Sequence, residues 1–189
     1  MNRLKVLIII VTVQLALLGT SCERSGVEAA RETPLTAQEI LSMDDKEFLM
    51  NAEKSEIRQR ALAETALAKS TNADIREFAN QVAGERRRDL EKLKAVMKSK
   101  GFAQQPAREE ELQLEAINRL HRLTGSALDH EFIGLITAEQ QQSVGTFDRA
   151  AETAADPDVR TYANEVLPTL QKDFDAAAAL ETKLGVHTR

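Results

Sequence analysis

Asp74-Ile-Arg-Glu-Phe-Ala-Asn-Gln-Val82 and Asp158-Val-Arg-Thr-Tyr-Ala-Asn-Glu-Val166 are one pattern written twice, 84 positions apart. The same spacing pairs Phe48 with Phe132 and Asp89 with Asp173. In both copies the apolar residues (Ile75, Phe78, Val82 and Val159, Tyr162, Val166) recur every three or four positions, which is the period of one helix face. A repeat of that length is a duplicated helical hairpin. Two such hairpins predict an antiparallel, up-down four-helix bundle with pseudo-twofold symmetry.

Punctuation outward from the repeat sets the helix limits. Thr36-Ala-Gln-Glu39 is a capping box opening a short helix through Ile40, Leu41 and Met43. A second box, Asp44-Asp-Lys-Glu47, opens the first long helix, about 45 to 70. Ser70-Thr-Asn72 separates it from the second, about 73 to 100, which Lys98, Lys100 and Gly101 close. Phe102 to Pro106 reads as a loop, and Arg108 to Leu123 as a short connecting helix. Ser126-Ala-Leu-Asp129 caps the third long helix, which runs to about Ala155. Asp156-Pro157 starts the fourth, which Gly185 ends, and Pro168 inside it predicts a kink.

Composition agrees with an all-α chain. Its 189 residues are 42% hydrophobic but only 4% aromatic, and they are rich in Ala, Leu, Glu, Lys, Gln and Arg. The single Cys excludes an internal disulfide, a zinc knuckle and a redox pair. A formal charge of −5 opposes nucleic-acid binding, because the phosphates would repel the surface.

That one Cys closes an N-terminal processing segment. Arg3 and Lys5 form a basic region and Val6 to Leu18 an apolar one, too short to span a bilayer comfortably. Gly19-Thr20-Ser21-Cys22 follows, and the whole resembles a bacterial lipoprotein signal, with Gly19 where such signals usually place Leu. The resemblance implies a signal peptide over 1–21, cleavage before Cys22 and a lipid on that residue. Residues 22–35 are polar and without period, hence a tether, and 36–189 form the bundle domain. The expected location is the cell envelope, lipid-anchored and facing the periplasm, with any protein partner unknown.

The inward stripes carry the only internal anomaly. Each long helix is apolar at both ends of its stripe and polar near the middle. Antiparallel packing brings Gln59, Arg86, Gln140 and Asp173 to one level, with Asp89 beside them and Glu56 one turn from Gln59. Buried groups of this kind must satisfy one another or cost several kcal/mol. An Arg86–Asp173 ion pair flanked by the two amides is the expected arrangement.

These residues, together with Phe48 and Ala52, the turn Lys69-Ser-Thr-Asn72 before Phe78-Ala79, Gly125-Ser-Ala-Leu-Asp129 and Leu167-Pro-Thr-Leu170, resemble the ferritin-like domain-of-unknown-function family 4142 of bacterial envelope proteins. The family usually has Phe where this chain has Leu128. The resemblance implies a bundle able to seat a metal through a Glu on the first helix and a His on each of the others. Here those positions hold Gln59, Arg86, Gln140 and Asp173, so the ligands are replaced by a polar plug and no cofactor is expected.

Two functions remain open. One is a non-catalytic structural or interaction module. The alternative is a metal-binding or oxidative-stress-related periplasmic protein with oxygen ligands from Glu56, Asp89 and Asp173. A guanidinium in the same stripe neutralises carboxylates and repels a dication, which favours the first. His121, His130 and His187 have no second ligand at helical spacing, and no nucleophile elbow, phosphate loop or dinucleotide fingerprint occurs.

Overall fold

A computed structural model of the chain describes residues 41–102 and 109–186, all within the compact unit Ala37–Arg189. The signal segment, the tether, Cys22, the first capping box and His187 lie outside the described residues. The described part is all-α: α1 (Met43–Lys69), α2 (Ala73–Ser99), α3 (Glu109–Arg122), α4 (Gly125–Thr153) and α5 (Pro157–Leu184). None of these helices is long and apolar enough to cross a membrane.

α1 packs chiefly on α2, and α4 on α5, as two hairpins with short turns. The hairpins meet through α1 against α4 and α2 against α5, while α3 lies mainly on α1. Residue numbers fall on one helix as they rise on its neighbour. Ser55 meets Ser143 and Arg58 meets Glu139 between α1 and α4, while Arg86 meets Asp173 and Lys100 meets Asp156 between α2 and α5. Neighbours are therefore antiparallel. α5 passes Pro168 as one continuous helix.

The turns show why two helix starts differ from expectation. Ser42, not Asp44, caps α1: its hydroxyl accepts from the Asp45 amide at 3.0 Å, and Met43 becomes the first helical residue. Asp44 and Asp45 then sit in the first turn, where the helix dipole favours acids. The Asp45 carboxylate reaches across the bundle and accepts from the amides of Ala155 (3.1 Å) and Asp156 (3.0 Å) in the α4–α5 turn. At the start of α4, Thr124 is the cap residue but makes no side-chain bond, and Gly125 follows with a positive φ of 58°. Asp129, 84 positions after Asp45, accepts instead from the Ser70 hydroxyl (2.6 Å) in the α1–α2 turn. Each hairpin thus lends a carboxylate to the other's turn. A sequence window sees an acid near a helix start and reads a cap, because the distant acceptor role leaves no local mark.

The remaining ends agree with their punctuation. Asn72 and Asp156, again 84 apart, cap α2 and α5 by accepting from the amides two and three positions on. Gly185 ends α5 in the left-handed conformation at φ 68°.

Two hydrophobic clusters fill the interior. One gathers Phe48, Leu49, Leu90, Leu93, Phe147, Tyr162, Val166 and Leu170. Its Phe48 and Phe147 rings meet edge-on at 5.1 Å, a geometry worth ~0.5–1.5 kcal/mol beyond area burial. The other gathers Leu62, Ile75, Phe78, Val82, Phe132, Ile133, Ile136 and Ala177, with Leu120 from α3. Each long helix leaves one cluster and enters the other across the same short interval.

Candidate functional site

That interval is the polar layer. Glu56, Gln59, Arg86, Asp89, Gln140, Ser143 and Asp173 are all buried, and Arg86 is 0% exposed. The guanidinium is its hub. Arg86 Nη2 donates to Asp173 Oδ2 at 3.0 Å, while Nη2 lies 3.5 Å from Asp89 Oδ2 and Nε lies 3.5 Å from Glu56 Oε2. Gln81 Nε2 donates to the other Asp173 oxygen at 3.1 Å. Lys92 sits 3.8 Å from Asp89 at the edge of the group. Arg87 and Arg88, which follow Arg86 in sequence, are exposed, and Arg87 pairs with Glu64.

The predicted Arg86–Asp173 pair is present, but the amides do not flank it. Gln59 Nε2 donates to Ser55 Oγ (3.0 Å) and Ser143 Oγ (2.8 Å), and those two hydroxyls bond each other at 2.8 Å. Gln140 is fully buried, yet neither amide atom has a protein partner among the described residues. The guanidinium's additional partners are carboxylates, Glu56 and Asp89, because the long Arg side chain spans from α2 towards α1 and α5 together. Glu56 belongs to the layer and not to its margin, a fact the duplication encodes: 84 positions separate it from Gln140. The same shift pairs Gln59 with Ser143, Asp89 with Asp173 and Arg86 with Leu170. Only one hairpin supplies the cation, so a pseudosymmetric set of side chains is filled asymmetrically.

Tyr162 is buried beside the layer: the residue is 2% exposed and its hydroxyl has no hydrogen-bond partner among the described residues. Burial, and then the nearby Glu56 and Asp89 charges, push its pKa up. The ring packs against Phe48 and Phe147, at centroid distances of 6.3 and 5.7 Å.

One guanidinium faces three buried carboxylates, so full ionisation would leave uncompensated negative charge in the interior. An ion taken into a dry interior costs several kcal/mol, comparable with the ~4 kcal/mol needed to keep an ordinary glutamate protonated at pH 7. Burial accordingly raises the Glu56 pKa to about 8, against the pull of Arg86. Burial, and a hydrogen bond shared with Glu85, raise Asp173 to about 7. Asp89 is also raised by burial, with Arg86 opposing. Burial alone would lower Arg86, but Glu56, Asp173 and Asp89 more than offset it, so the guanidinium stays charged.

Arg86 contacts each of Glu56, Asp89 and Asp173, so these carboxylates converge on the guanidinium. No group of three His, Cys, Asp or Glu side chains among the described residues is arranged to hold a metal ion. His121 and His130 are exposed. A surface depression of about 260 Å³ between α1 and α4 reaches Ser55 and Ser143 but is not lined by Arg86 or its carboxylates. Ser143 is the member of the layer on that depression, and its hydroxyl is engaged with Gln59, Ser55 and the Glu139 carbonyl.

The layer sits in a known type of domain. A family model for a domain of unknown function, DUF4142, matches residues 30–180. The chain belongs to the DUF4142 family. The match begins within the segment read as tether. Among solved structures, this DUF4142 chain is similar to the crystal structure of a DUF305 fragment from Deinococcus radiodurans. The two are 16% identical, with a TM-score of 0.66 over 77% of this chain and 97% of the other, a likeness of fold. No curated protein matches the chain.

Proposed function

We propose that this DUF4142 chain is a non-catalytic structural or interaction module of the bacterial cell envelope, held at the membrane by a lipid on Cys22 and facing the periplasm. One observation carries the non-catalytic part. The bundle's mid-level, where polar side chains of all four long helices meet, is filled by Arg86 and its three carboxylates, which are buried and paired with one another. The apolar segment followed by Gly19-Thr20-Ser21-Cys22 supports the anchor, and the acidic charge supports a partner other than nucleic acid. In the metal-binding alternative, Glu56, Asp89 and Asp173 would have to exchange the guanidinium for an ion.

Two measurements test the reading. Membrane fractionation with a labelled fatty acid is expected to find the full chain labelled and membrane-bound, and Cys22→Ala unlabelled and released. Equal membrane binding by both would overturn the anchor. Elemental analysis of protein purified without chelator is expected to find no stoichiometric metal. One bound Fe, Mn or Zn per chain would overturn the plug.

A further inference from the structure

The layer described above has more acids than bases, and Glu56, Arg86 and Asp173 in it are at most 1% exposed. We infer that it is a proton-binding site: Glu56, Asp89 and Asp173 share one guanidinium, so the folded bundle holds protons that its unfolded chain releases at neutral pH.

Every helix around the layer bears on this. α1 brings Glu56, and α2 brings Arg86 and Asp89, with Gln81 and Glu85 beside Asp173 and Lys92 at the edge of Asp89. α5 brings Asp173 and the neutral Tyr162. α4 brings Gln140 and Ser143, which carry no charge. Arg86, the one fully buried cation among the described residues, is therefore set against acids on three helices. Lys92 is half-exposed and pairs with Glu165 as well as Asp89. The contact nearest hydrogen-bond geometry, Arg86 to Asp173, joins one hairpin to the other, so proton occupancy bears on how the hairpins are held together.

The sign follows from the raised acids. An unfolded Glu ionises near 4.5 and the folded Glu56 near about 8; for Asp173 the two values are 3.8 and about 7. Between those limits the folded chain binds more protons than the unfolded chain. Stability is then highest at mildly acidic pH, falls as pH rises towards 8, and levels off above it. Each proton taken up on folding raises the unfolding constant about tenfold per pH unit within the window.

Urea unfolding of the full chain from pH 5 to 9 is the experiment. The expected result is a stability that falls with pH by one to two protons' worth of slope up to about pH 8. Glu56→Gln, which keeps the shape of the protonated acid, is expected to lose about one proton from that slope. A wild-type stability that is flat or rises over the window overturns the inference, as does a Glu56→Gln slope equal to wild type. Carbon-13 NMR of the Glu56 and Asp173 carboxyls in the folded wild type provides a reading independent of any variant. Midpoints at or above neutral are expected for at least one of them, and midpoints for both in the ordinary carboxylate range would overturn the site. None of these readings depends on membrane anchoring or on a partner.

Discussion

Arg86 has no exposed surface and three acidic neighbours, so what happens when one of them is removed depends on which remains charged. Asp173 makes the shortest contact, at 3.0 Å, and also accepts from Gln81. Asp173→Ala takes away the acceptor hydrogen-bonded to Arg86 and to Gln81, while Glu56 and Asp89 remain 3.5 Å from the guanidinium, and a loss of ~1–3 kcal/mol is expected in chemical denaturation. A loss under ~1 kcal/mol would mean that the pair contributes little. Gln140 is the opposite case. It is buried with no partner for either amide atom among the described residues, so Gln140→Leu removes a desolvated amide and puts apolar volume in its place. Stability unchanged or raised by ~1–3 kcal/mol is expected, read from the same denaturation curves. At this scale the sequence told which residues share the layer, because spacing along a helix fixes level and face. It did not tell which bonds they make, because reach and orientation across a bundle depend on rotamers that no spacing encodes. Arg86 therefore found Glu56 and Asp89, while the glutamine expected beside it turned to a pair of serines.

Among the elements, the turns carry the same lesson. Asp156 was readable as a cap, and Asn72 as the punctuation before α2, because the amides that donate to them lie two and three residues on. Asp45 and Asp129 were not, because their partners lie in the other hairpin. Asp45→Ala removes two cross-bundle bonds to backbone amides, and a cost of ~1–3 kcal/mol is expected. Faster hydrogen exchange at the Ala155 and Asp156 amides, with little change at the α1–α2 turn, would locate that cost. Uniform acceleration across both turns would contradict it. The α5 cap adds an acid-side limit. Burial opposes ionisation of Asp156, but its bond to Lys100 and those from Val159 and Asp158 outweigh burial and hold its pKa down. A lowered acid stabilises the fold above its unfolded value of 3.8, and that contribution is lost as pH falls through the folded value. Measured stability should therefore decline again at strongly acid pH, the reverse of the trend set by the central layer.

For the molecule as a whole, the all-α architecture was legible from one repeated motif, and the closed centre from four interrupted stripes. Activity was not, since a bundle of this kind fixes positions for side chains and leaves their chemistry to each sequence. Thermal melts with added Fe, Mn or Zn are expected to match those without. A melting point raised by several degrees would show an ion binding the folded state and would restore the carboxylates as ligands.

The reciprocal reach of Asp45 and Asp129 has a last consequence, for the order of assembly. Neither repeat can complete its own bend before its counterpart has arrived, since the oxygen that completes it travels on the other copy. A lone half would leave donors open to water at its bend and an aliphatic flank uncovered. The two copies are therefore expected to form, and to come apart, in a single concerted step.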